Sequence, residues 1–336
     1  MLGAMSDKNT SFGLTLSNRA LVIGSARAQD LIDMAARAEA SGFIDAIWVG
    51  DSIISKPRLE CIPLLGAIAA RTSRVRLGVA CMATIAQRNP VLLALQWASL
   101  DVLSGGRAWL AACMGYPAGQ HPMAARELQV MGIASKERPG RLEEMLQALR
   151  ALWSSEHAGF HGKYYSFDGV NLLPKPVQKP CPVYIAGTPR AAQIGAGGVE
   201  RSLRRIARYA DGWMTNQIEV AMFAEYKQRL RQMLVEEGRD PEAFKTVLYY
   251  GVTVHRDREE AFRQAKTFLD AYYQKDFSRQ GVEIWNACGP VEHCIECLRG
   301  FIDAGVDHVT LRPIGDDLDG QFEIFLHQFL PALRSR

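Results

Sequence analysis

Residues 75–116, VRLGVACMATIAQRNPVLLALQWASLDVLSGGRAWLAACMGY, set the narrowest limit on what this chain can fold into. Residues 75–81 are short, apolar and β-branched, the composition of a strand buried on both faces. A helix-period run follows from Pro90, a residue favoured at the first helical position. It ends at Ser104-Gly105-Gly106, where glycine supplies a left-handed cap. Residues 107–113 form a second short apolar run, broken by Gly115. Strand, helix and strand of these lengths predict a right-handed crossover between parallel strands. Both strands end in small or sulfur-bearing side chains, Ala80-Cys81-Met82 and Ala112-Cys113-Met114-Gly115. Such ends leave room for something flat to lie across them.

The same alternation extends both ways. Residues 12–16 and 46–49 read as strands, and 26–41 and 59–71 as helices; Leu31, Ile32, Met34, Ala35 and Ala38 fall on helical spacing before Gly42. Beyond the fourth strand the rhythm loosens. Residues 116–138, rich in Gly, Pro, Met and His, predict a long loop with some helix, and 157–180 a small hairpin. Between these excursions lies a helix over 141–153. Strands at 182–186, 212–215, 246–254 and 308–311 then alternate with helices at 199–209, 220–237, 258–273 and 291–304, with a closing helix over 321–333. Eight strands separated by helices predict a (β/α)8 TIM barrel, which needs ~250 residues. The remainder fits two insertions after the fourth strand, in one domain over 12–335. An open doubly wound sheet is the alternative; eight regular units without a composition break suit closure better.

A formal charge of +3 over 336 residues, with no Lys/Arg block, argues against nucleic acid as the main partner and suits a small anionic ligand. Seven cysteines without framework spacing indicate a reduced, cytoplasmic protein. The leading MLGAMSDKNTS lacks a secretory pattern, and Met1–Ala4 before Met5 is left out of the fold reading. No apolar run approaches the ~18 residues of a spanning helix, so no membrane partner is expected.

Gly195-Ala196-Gly197-Gly198 precedes the helix predicted from Val199. Amides at a helix N-terminus bind phosphate, and Arg201 and Arg204 lie close in sequence. A flexible glycine loop reads equally well. Glu200 stands where a dinucleotide fingerprint has its last glycine, which disfavours a Rossmann site. Asp51-Ser52 ends the second strand on the face where barrels place their sites, although such a pair also caps turns. Cys81 and Cys113 end adjacent strands; each alone reads as a small buried hydrophobe, and together as a shared lining. Trp213, at the end of the sixth strand, is placed to touch a ligand. Cys294 and Cys297 form a CxxC with no second pair, which reads as core. Without a nucleophile elbow, a P-loop or a metal spacing, a bound cofactor that carries the chemistry itself fits best.

Six pieces then occur in a specific order: residues 46–51, AIAARTSRVRLG at 67–78, Arg88-Asn89-Pro90, LDVLSGGR at 100–107, LPKPVQ at 173–178 and ARYADGW at 207–213. With these the chain resembles the bacterial luciferase-like flavin-dependent monooxygenases, which include deazaflavin-dependent oxidoreductases on the same barrel. The resemblance implies a non-prolyl cis peptide at the end of the third strand, at Cys81-Met82, cradling an isoalloxazine ring. It implies a phosphate site in the loop after strand five. The expected cofactor-binding residues are Thr15, Cys81, Met82, Cys113, Gly115, Gly187, Thr188, Gly197, Gly198, Arg201 and Trp213; the expected catalytic ones are Asp51, Ser52 and Cys113. The implied cofactor is FMN, with the deazaflavin F420 as the alternative. The implied partners are a small organic substrate, a separate flavin reductase and a second copy of the chain, with Leu64, Leu65 and Ile68 at the interface. Two departures stand out. Asp51-Ser52-Ile53-Ile54 carries no histidine where luciferase has one, and Ala111-Ala112-Cys113-Met114 is less open than the usual glycine-rich strand end. Light emission is therefore not implied. A catalytically silent flavin-binding barrel is a second reading, and a metal-dependent hydrolase a third with poor support.

Overall fold

The computed structural model describes residues 10–116, 119 and 121–334; Met1–Ala4, and residue 335 where the domain reading ends, lie outside the described residues. Eight parallel strands close into a barrel: β1 (Ser11–Leu16), β2 (Ala46–Val49), β3 (Arg76–Met82), β4 (Ala108–Cys113), β5 (Val183–Ala186), β6 (Gly212–Thr215), β7 (Lys245–Val254) and β8 (His308–Pro313). Closure joins β8 to β1, with Gly13 opposite Thr310, and β6 to β7, with Gly212 opposite Lys245. The eight strands predicted from sequence are these eight.

The outer layer is α1 (Ala28–Ala40), α2 (Cys61–Arg71), α3 (Pro90–Leu103), α4 (Arg138–Ser154), α5 (Ala191–Tyr209), α6 (Val220–Glu236), α7 (Arg258–Tyr273) and α8 (Val291–Asp303). Local chemistry sets their starts. The Asn89 side chain accepts the amides of Val91 and Leu92 ahead of Pro90, and Asp257 accepts those of Glu259 and Glu260. The excursions hold a helix over Pro122–Val130 and an antiparallel hairpin, Ala158–His161 with Ser166–Val170.

Four differences from the sequence reading have local causes. A ninth short strand, Asn286–Gly289, pairs with the far half of β7; four residues are too few to show a period. The helix predicted from Val199 begins at Ala191 and is interrupted at Gly195, whose φ of +68° no other residue type adopts easily. The closing helix runs in pieces, Leu318–Ile324 and Leu330–Arg334, around a wide turn at Phe325–Phe329. Leu64, Leu65 and Ile68 are not surface residues: each is at most 2% exposed and packs between α2 and the sheet. Among the described residues no helix is long and apolar enough to cross a membrane.

The N-terminal end of the barrel is filled by rings from β2, β4, β5 and β8. Trp48 (β2) lies 5.7 Å from Trp109 (β4), which lies 5.7 Å from Tyr184 (β5). Glycines on the neighbouring strands make the room: a Cβ on Gly78 would sit 2.2 Å from the Trp48 ring, and one on Gly212 2.3 Å from Tyr184. His308 completes this plug. Its Nε2 accepts the Trp48 indole N–H at 3.1 Å, so Nδ1 carries the proton and meets Ser11 Oγ at 2.7 Å.

Burial alone pushes His308 down to about 3. Between the unfolded value near 6.5 and that folded value the unfolded chain holds the extra proton. The neutral ring's contribution is thus complete above about pH 6.5 and lost as pH falls, at about 1.4 kcal/mol per pH unit. Denaturant unfolding at stepped pH is expected to give a shallower acid slope in His308→Gln than in the native chain. An unchanged slope would mean that the ring titrates alike in both states.

Candidate active site

At the C-terminal mouth of the barrel lies a cavity of about 370 Å³, within the range of small-ligand sites. Thr15, Cys81, Cys113, Ala186 and Met214 form its floor from β1, β3, β4, β5 and β6, and the loops beyond them form its walls. The non-prolyl cis peptide at the end of β3 is Ala80-Cys81, one residue before the predicted Cys81-Met82. Cys81 faces the barrel interior, whereas Met82 is wholly buried on the helix side and lies outside the cavity.

Cys81 and Cys113 meet across adjacent strands, with the Cys81 S–H donating to the Cys113 sulfur. Gly115 donates its N–H to Cys113 Sγ at 3.3 Å, and its φ of +71° is what makes that turn. The Cys81 hydrogen bond, then the Gly115 amide and the charges of Lys56 and Arg138, hold the Cys113 thiol below its ordinary range against burial. The same hydrogen bond and burial hold Cys81 well above it. Cys113 is therefore the member of the pair that ionises first.

Lys56 and Arg58 enter the cavity from the loop after β2. The Lys56 ammonium lies 4.4 Å from the Tyr116 ring centre and 5.2 Å from that of Tyr273. One carboxylate holds this loop: Glu127 Oε2, from the Pro122–Val130 helix, accepts the amides of Ile53 (3.0 Å), Ile54 (2.5 Å) and Ser55 (2.8 Å). Burial acts to raise the Glu127 pKa, but the amide bonds from Ser55 and Ile54 outweigh it and hold the carboxylate ionised. Sequence reasoning passed over Glu127, Lys56 and Arg58 because their partners are distant in the chain and no spacing joins them.

The predicted catalytic pair is engaged elsewhere. Asp51 lines the cavity, yet its carboxylate accepts from Thr84 N (2.9 Å), Thr84 Oγ1 (2.6 Å) and Arg88 Nη2 (2.8 Å). It ties the end of β2 to the loop after β3. Ser52 lies outside the cavity lining; its hydroxyl meets Ser55 Oγ at 2.8 Å and accepts the Lys56 amide at 2.9 Å. Both residues shape the loop that presents Lys56.

Across the mouth, Gly187, Thr188 and Arg190 follow β5, and Arg205 reaches in from α5. Thr188 Oγ1 bonds Thr215 Oγ1 at 2.8 Å, which links this loop to β6. The α5 helix restarts after Gly195, so Gly197 and Gly198 stand in its first turn. Neither lines the cavity; nor does Arg201, while Ser202 and Arg205 on the same helix do. Arg204 pairs outward with Glu200 and Glu236. Trp213 is also absent from the cavity. It is fully buried on the helix side, stacked on Phe223, with its indole N–H on the Gly187 carbonyl at 2.8 Å. Alternation along β6 turns Met214 inward in its place.

A family model described as luciferase-like monooxygenase matches residues 10–308. The chain belongs to the luciferase-like monooxygenase family. It is 26% identical over 324 residues to an F420-dependent glucose-6-phosphate dehydrogenase of Amycolatopsis mediterranei, spanning 91% of this chain and 95% of that protein. Among solved structures it resembles an F420-dependent secondary alcohol dehydrogenase (TM-score 0.80, 20% identity, 97% of this chain and 99% of that one). It also resembles a monooxygenase from Streptomyces bottropensis (TM-score 0.76, 20% identity, 96% and 99%). The last two likenesses establish the fold.

Two other clusters in this luciferase-like chain are accounted for by packing. Asp51, Glu60 and Cys61 approach one another closely enough for a metal, but the Arg88 guanidinium bridges Asp51 (2.8 Å) and Glu60 (3.0 Å) and fills that place. In the CxxC, Cys294 is fully buried and bonds the Gly289 carbonyl at 3.4 Å, while Cys297 meets His293.

Proposed function

We propose that this chain is an oxidoreductase that works with a bound deazaflavin or flavin, F420 in preference to FMN, on a small alcohol or carbonyl compound. The observation that carries this reading is the cavity floor: Cys81 and Cys113, small and side by side on β3 and β4, with a donor-rich loop on one flank. A planar ring system fits over such a floor, and Thr188, Arg190 and Arg205 offer donors for the phosphate of its side chain. The preference for F420 draws on the dehydrogenase that matches over nearly its whole length.

Bound, the cofactor would supply the hydride acceptor or donor. The chain's own residues would orient the substrate, exclude water and handle one proton. Cys113 and Lys56 are the groups in the cavity whose protonation lies within reach of neutral pH; burial pushes Lys56 down to about 8. Cys113, on the floor, is the one placed to hold the proton that an alcohol loses.

Titration of the purified chain with F420 and with FMN, followed by cofactor fluorescence, tests the reading. Saturable F420 binding is expected, with FMN weaker. Cys113→Leu, which overfills the floor, is expected to weaken it about tenfold or more, while Cys297→Ala on α8 leaves it unchanged. Failure of both cofactors to bind would remove the oxidoreductase reading.

A further inference from the structure

The cavity has two cationic poles. One lies over β5 and β6 at Arg190 and Arg205. The other lies across the mouth at Lys56 and Arg58, in the loop after β2; β2 and β6 are four strands apart in the ring of eight. The carboxylates lining the cavity, Asp51 and Glu127, are both saturated, by Arg88 and Thr84 and by loop amides. At the first pole Arg205 already bonds Glu143 at 2.6 Å, and Arg190 lies 3.8 Å from Glu219. At the second pole no carboxylate lies within ion-pair distance among the described residues. Lys56 is held between the Tyr116 and Tyr273 rings. Arg58 donates to Tyr272 Oη at 3.3 Å and to the Lys56 carbonyl at 3.0 Å. Behind them Arg312, 1% exposed, lies 3.7 Å from the Tyr272 ring centre, and its Nη2 has no hydrogen-bond partner.

Cations taken out of water without a carboxylate are costly, and rings and hydroxyls offset only part of that cost. We propose that the Lys56–Arg58 pole binds the anionic end of the substrate, a carboxylate or a phosphate monoester, with Tyr116, Tyr272 and Tyr273 as its walls. This rests on the oxidoreductase reading above and adds the substrate class. A substrate held there by its charge would extend its neutral, reacting end towards the Cys81–Cys113 floor. Burial, and next the neighbouring Arg58, depress the Lys56 pKa, as expected of an ammonium short of counter-charge.

Calorimetric titration with inorganic phosphate and with acetate tests the subsite on the full chain, with and without saturating cofactor. Wild type is expected to bind at least one of the two anions, and the preferred one identifies the headgroup. Lys56→Met or Arg58→Gln should weaken it about tenfold or more, and Lys56→Arg should restore it to within about threefold. Cofactor affinity, read separately by fluorescence, should move less than about twofold. Binding of neither anion to wild type, or anion binding indifferent to Lys56→Met, overturns the subsite. So does a parallel loss of cofactor and anion affinity, which would give this pole to the cofactor. Phosphate held through Lys56 in a chain that takes neither F420 nor FMN supports the subsite and overturns the oxidoreductase reading instead.

Discussion

Gly78→Val is expected to lower the stability of the barrel by about 3 kcal/mol or more, through overpacking of a site with no slack. A Cβ at this position stands 2.2, 2.4 and 2.6 Å from three atoms of the Trp48 ring. The ring cannot retreat. It is fully buried, its indole N–H is engaged by His308, and Trp109 lies on its other side. Relief therefore requires the strands to part, which disturbs the parallel ladder of β2 and β3. The control is Gly66→Ala in α2, where an added Cβ meets nothing within 4 Å. There alanine's helix preference should stabilise the chain by up to about 1 kcal/mol. Denaturant unfolding of both variants checks the pair. Equal stabilities would mean that the plug is looser than its distances.

Glu127→Ala is expected to release the loop that carries Lys56 and Arg58. One carboxylate oxygen receives three consecutive amides, and the other receives Gln87 Nε2 at 3.2 Å. Hydrogen bonds to a charged acceptor are worth about 1.5–3 kcal/mol each, and their loss leaves amides unpaired in a half-buried loop. We expect a local opening cost reduced by about 3–5 kcal/mol. Hydrogen exchange should then speed up by at least about a hundredfold at Ile53, Ile54 and Ser55, with the strands unaffected. The pH dependence has a definite sign. The folded pKa of Glu127 is depressed, so its contribution is complete above the unfolded value of about 4.3 and lost as pH falls through the folded one. Protection of the three amides that weakens on acidification in the native chain, and is weak at every pH in Glu127→Ala, is the expected pattern. Protection that survives the substitution would assign the loop's order to Ser52 and Ser55.

The elements could be read from the chain because barrel strands bury both faces and turn sharply into capped helices, so apolar runs and glycines mark their ends. The motifs that carry the family resemblance mostly fasten the opposite end of the barrel from the cavity. Asp101 accepts the Gln178 amide at 3.0 Å, and Asp211 accepts the Val183 amide at 2.8 Å. Arg107 donates to the carbonyls of Ala69, Thr72, Val75 and Ser104. These residues identify a scaffold. The cavity walls come from the irregular stretches instead: Lys56 and Arg58 from a coil, Glu127 from an excursion read mainly as loop, Tyr272 and Tyr273 from the last turn of α7. Their convergence is set by chain closure over hundreds of residues, which no local spacing encodes. Trp213 and Met82 show the converse. Met82 ends β3 as a site residue would, and Trp213 is the second residue of β6 rather than its end; strand alternation turns both to the helix side.

The aromatic plug has a consequence for traffic. Trp48, Trp109, Tyr184 and His308 stop the barrel from below, so the chamber above them is closed on that side. A molecule resting on the floor therefore leaves towards the mouth, past whatever lies above it. A cofactor seated on the Cys81–Cys113 floor would be shut in by the substrate that follows it. Turnover would then run as an ordered queue, with product departing before the cofactor can be exchanged.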